Sequence, residues 1–184
     1  MNTLREHISN ERRHLREVRQ SLSAALEQGS AGDEAYLPFY IAIADYMDVS
    51  MGRLHVQDIY MGKKLSEYVS GPDETQEKGM DELHERLAGN QEHLKRFLTA
   101  RDDLKTKGAS AIDAFESVSR AYTNYIVSNM GHHGASTGMA QEHFTQEDWN
   151  TMANISDESV AREKELYDNV FAAKPAGLTL PETD

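Results

Sequence analysis

Eight histidines and 31 acidic side chains stand in a chain of 184 residues that contains no cysteine. Any metal held here must be bound by imidazole nitrogen and carboxylate oxygen, and disulfides, thiolate nucleophiles, iron–sulfur clusters and sulfur-based zinc sites are excluded. The informative positions are those where an apolar helical stripe is broken by such a group. Glu11 takes the place of a core residue between Ile8 and Leu15, and His7 sits one turn before it, which makes an inward His-x-x-x-Glu pair. The stripe through Leu37, Ile41, Ala44 and Met51 continues through His55 and Asp58 before it returns to Leu65. Farther along, His84 lies beside Leu87 and Gln91, and His133 falls on the line of Phe115, Tyr122 and Asn129, with His132 next to it. By the same spacing His93 falls on an outer face and His14 on a margin.

Carboxylates and neutral imidazoles on facing helices can surround one or two divalent ions, with the carboxylates bridging and offsetting the charge. An isolated Glu11 or Asp58 in an apolar core would face a severe desolvation cost and take up a proton, and coordination removes that conflict. Two plainer readings stand beside this one. The groups satisfy one another as a buried hydrogen-bond network, or the helices rotate enough to carry them to the surface.

The elements that must position these residues are legible from their ends. Thr3 with Glu6, Asp73 with Gln76, Ser110 with Asp113 and Thr145 with Asp148 fit the spacing in which a capping side chain accepts from a first-turn N–H and an acid or amide follows three residues later. Asp33 marks the remaining start, with Pro38 in or near the first turn. Gly29 to Gly32, Ser70-Gly71-Pro72 and Gly108-Ala-Ser110 end periodic stretches. Helices are therefore predicted near 4–28, 35–69, 75–106 and 111–143, each with an apolar stripe at three- and four-residue steps. Short connections between long helices predict an all-α, antiparallel up-down-up-down four-helix bundle over 1–144. One or two shorter C-terminal helices follow over 145–173, packed outside or used for self-association around Trp149, and then an extended tail over 174–184.

Antiparallel helices rise equally per residue, so reflecting residue numbers through the turns tests axial level. Through a turn centred near 31–32, His55 stands opposite Ile8, one step from His7. Through 71–72, Asp58 stands opposite Glu85, one step from His84, and through 108, His84 stands opposite His132. Each of the four helices delivers a histidine to one level at one end of the bundle.

Composition narrows the partners. A formal net charge of -12 repels phosphate backbones and anionic lipid, so neither nucleic acid nor membrane is expected. No apolar run approaches the roughly 20 residues a bilayer span needs, and the first seven residues carry no apolar signal core, so a cytoplasmic chain is expected. Gly131-His-His-Gly134 has no preceding strand and is no phosphate loop; it loosens the fourth helix or ends it. No serine is marked as a nucleophile by its context.

His7 with Glu11, His55 with Asp58, the His132-His133 pair and the run from Tyr122 to His132 resemble, across roughly residues 4–144, a hemerythrin-like domain. That resemblance implies a four-helix bundle holding non-haem iron, one or two ions, that binds dioxygen or takes part in iron or redox sensing rather than turnover. The implied metal ligands are His7, Glu11, His55, Asp58, His84, His132 and His133. Around His84, Arg86, Ala88 and Gln91 stand where the family has a His-x-x-x-His pair. Ser136, Thr137 and Gly138 replace its last-helix carboxylate. A mononuclear site, zinc or manganese in place of iron, and a metal-free relative all stay open. Two alternatives of other classes are a metal-free interaction protein with a buried His/carboxylate network that forms a homodimer through its C-terminal helices, and a bundle that binds a small molecule on the same polar cluster.

Overall fold

The computed structural model describes residues 4–129 and 134–181, and for residues 4, 5 and 7 the backbone only. Among the described residues the chain is all-helical and has no strand. The helices are α1 (Leu4–Gln28), α2 (Leu37–Tyr68), α3 (Glu74–Lys107), α4 (Ile112–Asn129), α5 (Gly134–His143), α6 (Gln146–Ala153) and α7 (Asp157–Ala172). Short 3-10 turns at Glu34–Tyr36 and Gly108–Ala111 lead into α2 and α4. The first three predicted helices match to within a residue or two. The fourth predicted stretch corresponds to α4 and α5, and residues 130–133 between them lie outside the described residues.

Local chemistry explains the ends. The Asp73 carboxylate accepts from the Gln76 N–H at 2.8 Å while the Gln76 side chain accepts from the Asp73 N–H at 3.0 Å, so two orphan donors of the first turn of α3 are satisfied together. Thr145 with Asp148 and Ser156 with Ser159 do the same for α6 and α7. At the other end of α3, Gly108 adopts φ 61°, a conformation that side chains rarely take.

Pairing between helices follows the side chains. Arg101 and Arg86 of α3 bind Asp45 and Asp58 of α2, so α2 and α3 run in opposite senses. On α4, the Tyr122 hydroxyl donates to Asn90 at 2.9 Å and the Tyr125 hydroxyl to the Arg86 carbonyl at 3.1 Å, again with opposed numbering. At the α1–α2 turn, Glu116 of α4 accepts from Ser30 Oγ at 2.6 Å and from Tyr40 at 2.7 Å. Tyr40, Tyr46, Tyr122, Phe39, Phe97 and Phe115 are the largest fully buried side chains, and they fill the space among these helices.

The C-terminal helices enter the same packing. Leu166 and Val170 of α7, and Leu178 beyond it, belong to the main core cluster together with Val18 and Leu22 of α1 and Ile43 and Met47 of α2. The segment after α7 folds back on the end of α1, where the Gln28 amide donates to the Thr179 carbonyl at 2.7 Å. A smaller cluster joins Met61 and Leu65 of α2 to Met139, Ala140 and Met152, with Trp149 and Phe144 packed against it. Asp148 fixes α6 there: it accepts from Tyr68 at 2.9 Å, from Tyr60 at 3.3 Å and from its own cap residue Thr145 at 2.7 Å. The Thr145 hydroxyl first, then the Thr145 N–H, Tyr68 and the nearby Lys64, hold the Asp148 carboxyl down at about 2 against its burial. No described helix is long and apolar enough to cross a membrane.

Candidate functional site between α1, α2 and α7

Glu163 is a buried carboxylate on α7. It lies within 3.0 Å of His14 Nδ1 on α1 and accepts from the Tyr46 hydroxyl of α2 at 2.8 Å. Glu11, one turn before His14 on α1, takes Arg53 of α2 at 3.0 Å, and the other arm of that guanidinium donates to Ser159 Oγ of α7 at 2.9 Å. Three helices are thereby tied through two carboxylates, an imidazole and a guanidinium. Tyr167 extends the group by stacking on His14, ring centroids 3.9 Å apart, and by donating its hydroxyl to Glu17.

Burial is the leading influence on the proton affinities of Glu11, Tyr46 and Tyr167. Burial pushes the Glu11 carboxyl above its ordinary value against the pull of Arg53, and the negative Glu163 adds to the rise. Burial, helped by Glu163, also lifts the Tyr46 phenol well above its ordinary value, so it remains a hydrogen-bond donor. Tyr167 is raised too, by burial and then by Glu17. A cavity of about 220 Å³ opens beside the group, with Glu11, His14, Arg53, Glu163 and Tyr167 on its wall and Ile155 and Val160 as apolar lining. Chemically the arrangement offers carboxylate acceptors, the His14 imidazole, two cations in Arg53 and Lys164, and an aromatic face, which suits recognition of a small polar molecule.

Of the seven residues expected to bind metal, the structure describes the side chains of four. Glu11 is bound by Arg53, and Asp58 is bound by Arg86 through two contacts of 3.1 Å. His84 is exposed on α3. His55 is half-buried on α2, and its Nδ1 is buried without a hydrogen-bond partner. The His7 side chain and both His132 and His133 lie outside the described residues. Among the described residues no three His, Asp or Glu side chains gather closely enough to hold a metal ion. Glu11 offers one oxygen to Arg53 and Asp58 offers both to Arg86, so each carboxylate is paired with a guanidinium.

The chain matches no known protein family, curated protein or solved structure. Its site must therefore be read from its own residues.

Spacing in the sequence sets His14 on a margin and does not single out Glu163. A signal for Glu163 exists: the α7 stripe runs Val160, Glu163, Leu166, Val170, the same kind of interruption that marks Glu11 on α1. For His14 the signal is its acid-x-x-His spacing from Glu11, and its marginal position on α1 becomes interior because α7 docks beside it. His93, assigned to an outer face, stacks at 4.5 Å between ring centroids on Tyr125.

Proposed function

We propose that this chain is a small-molecule-binding helical bundle. In this reading α1 to α4 form an up-down-up-down antiparallel core. α7 closes a pocket against α1 and α2, and the polar wall of that pocket receives a compact, hydrogen-bond-donating molecule, a primary amine above all. The observation that carries the reading is the convergence of Glu11 and Glu163, from helices at opposite ends of the chain, on one cavity of about 220 Å³. Carboxylates in such a position are poor stabilisers, because well-packed apolar residues of similar volume commonly do as well or better. Acceptors that a donor-bearing ligand would satisfy give them a use. Binding rather than turnover is the expected role, since Glu11, Glu163 and Lys164 on the cavity wall are each already bonded within the chain.

Thermal melting with a panel of primary amines, diamines and amidines tests this. A ligand that binds the folded chain at about 100 times its Kd adds roughly 2.7 kcal/mol of stability. The shift is expected to vanish in Glu163→Gln and to shrink in Glu11→Gln. A flat panel, or a shift of equal size in both variants, would overturn the reading.

A second reading, a hemerythrin-like metal-binding bundle, is favoured by the buried, unpartnered Nδ1 of His55. It draws its further donors from His7, His132 and His133. Elemental analysis of protein grown in iron- and zinc-supplemented medium separates the two, since transition metal at background level before and after reconstitution removes the metal reading.

A further inference from the structure

The outer side of α2 carries a row of apolar residues that the fold leaves open. Val49, Val56 and Ile59 are exposed to 39%, 61% and 51% of their surface, and they are three of the five large apolar side chains most exposed in the described chain. At α-helical spacing, Asp45, Val49, Gly52, Val56, Ile59 and Lys63 fall within an arc of about 80°. Their steps of four, three, four, three and four residues are those of a helix-pairing seam. The inner side of α2 is already apolar and buried through Phe39, Ile43, Met47 and Leu65. A helix that is apolar all round expects cover on both sides.

The seam is complementary to itself. Laid antiparallel against a second α2 about a two-fold axis at the level of residue 54, each position meets the one whose number completes a sum of about 108, since both helices rise equally per residue. Val49 then faces Ile59 of the second copy, and Gly52 faces Val56. A glycine there admits close approach, because a Cβ built at Gly52 meets nothing within 4 Å. The same operation sets Asp45 against Lys63. Among the described residues Lys63 makes no ion pair. Around Asp45, the carboxylates of Asp45, Asp48 and Asp102 outnumber the cations of Arg101 and Lys105. Each end of the seam thus presents the charge that the other lacks. Register, size and charge agree on one operator.

From this self-complementarity we infer that the outer face of α2 is the contact of an antiparallel, two-fold homodimer, distinct from the pocket between α1, α2 and α7. A seam from residue 45 to 63 is about 27 Å long. One helix pair of that length lies at the small end of specific interfaces, so the dimer is reversible and concentration-dependent.

Sedimentation velocity over a dilution series, from millimolar to micromolar chain, reads the association directly. Val56→Glu, at an exposed position that leaves the core untouched, is expected to raise the dissociation constant about tenfold or more. Lys63→Glu is expected to raise it less, and both variants should keep the wild-type circular dichroism. Orientation is read by cross-linking. The natural chain has no cysteine, so Val49→Cys with Ile59→Cys supplies the only thiols. Within one helix those positions lie about 15 Å apart, well beyond the roughly 7 Å that a disulfide spans, so any 49–59 link joins two chains. The expected product is a dimer held by 49–59 links. A chain that stays monomeric throughout, a dimer unaffected by Val56→Glu, or 49–49 and 59–59 links in place of 49–59 would each overturn the inference.

Discussion

Glu11 holds two opposed influences in one carboxyl group: burial raises its proton affinity and Arg53 lowers it, with burial the larger. A carboxyl whose folded pKa lies above its unfolded value binds more protons in the folded chain. Its contribution is therefore fully present below the ordinary value of 4.5 and is lost as pH rises through the folded value. Stability of the wild type relative to Glu11→Gln should fall as pH rises from the ordinary value of 4.5 towards neutrality, as followed by urea denaturation at each pH. A difference that grows with pH over that range would show Arg53 to be the stronger influence. Legibility divides sharply at this scale. The interruption of an apolar stripe makes Glu11 visible in the sequence, and reflection through the turns places partners on the correct level: Asp58, expected opposite Glu85, bonds the adjacent Arg86. What reflection does not supply is the rotation of each helix about its own axis. On that angle His84 turns to solvent, and Asp58 turns to a guanidinium in place of an imidazole.

At the level of elements, α3 runs unbroken from Glu74 to Lys107 through two glycines that local propensity alone would count against it. Gly89 has a tertiary reason. The Tyr125 ring lies directly over it, so that an added Cβ would overlap the phenol ring. From that position the hydroxyl reaches the Arg86 carbonyl and the ring receives the His93 stack. Propensity says Gly89→Ala should gain about 1 kcal/mol, whereas overpacking of a formed contact costs about 1–3 kcal/mol. The expected net effect is a loss of about 1 kcal/mol, seen as a lower denaturant midpoint with an unchanged slope. A higher midpoint would mean that Tyr125 swings aside at little cost. Helix boundaries were readable because caps and glycines act within three or four residues, as the Asp73–Gln76 box does. The reason for Gly89 was not, since its neighbour is Tyr125 of α4 and no local pattern joins the two.

For the whole molecule the open question is whether residues 1–144 stand alone or whether the chain closes only when α7 arrives. Turn signals separate the C-terminal segment from the four long helices, but such signals report where an element ends and carry no information on where it docks. In the fold, α7 lies against both α1 and α2, with Tyr46 and His14 meeting at Glu163, and Leu166, Val170 and Leu178 are buried in the shared core. Burying three such apolar side chains contributes roughly 5–9 kcal/mol, at about 1.5–3 kcal/mol each. That is comparable with the entire stability of a domain this size, about 5–15 kcal/mol. Removal of 154–184 also takes Glu163 away from His14 and Tyr46 and uncovers the apolar flank of α1 around Val18 and Leu22. The fragment 1–153 is therefore expected to keep much of its far-ultraviolet helical signal while losing a cooperative thermal transition and gaining binding of a hydrophobic dye, as loosely packed helical states do. A fragment that melts cooperatively near the full chain's temperature would instead make α1 to α6 self-sufficient without α7. The pocket between α1, α2 and α7 would then be a contact added to a finished bundle.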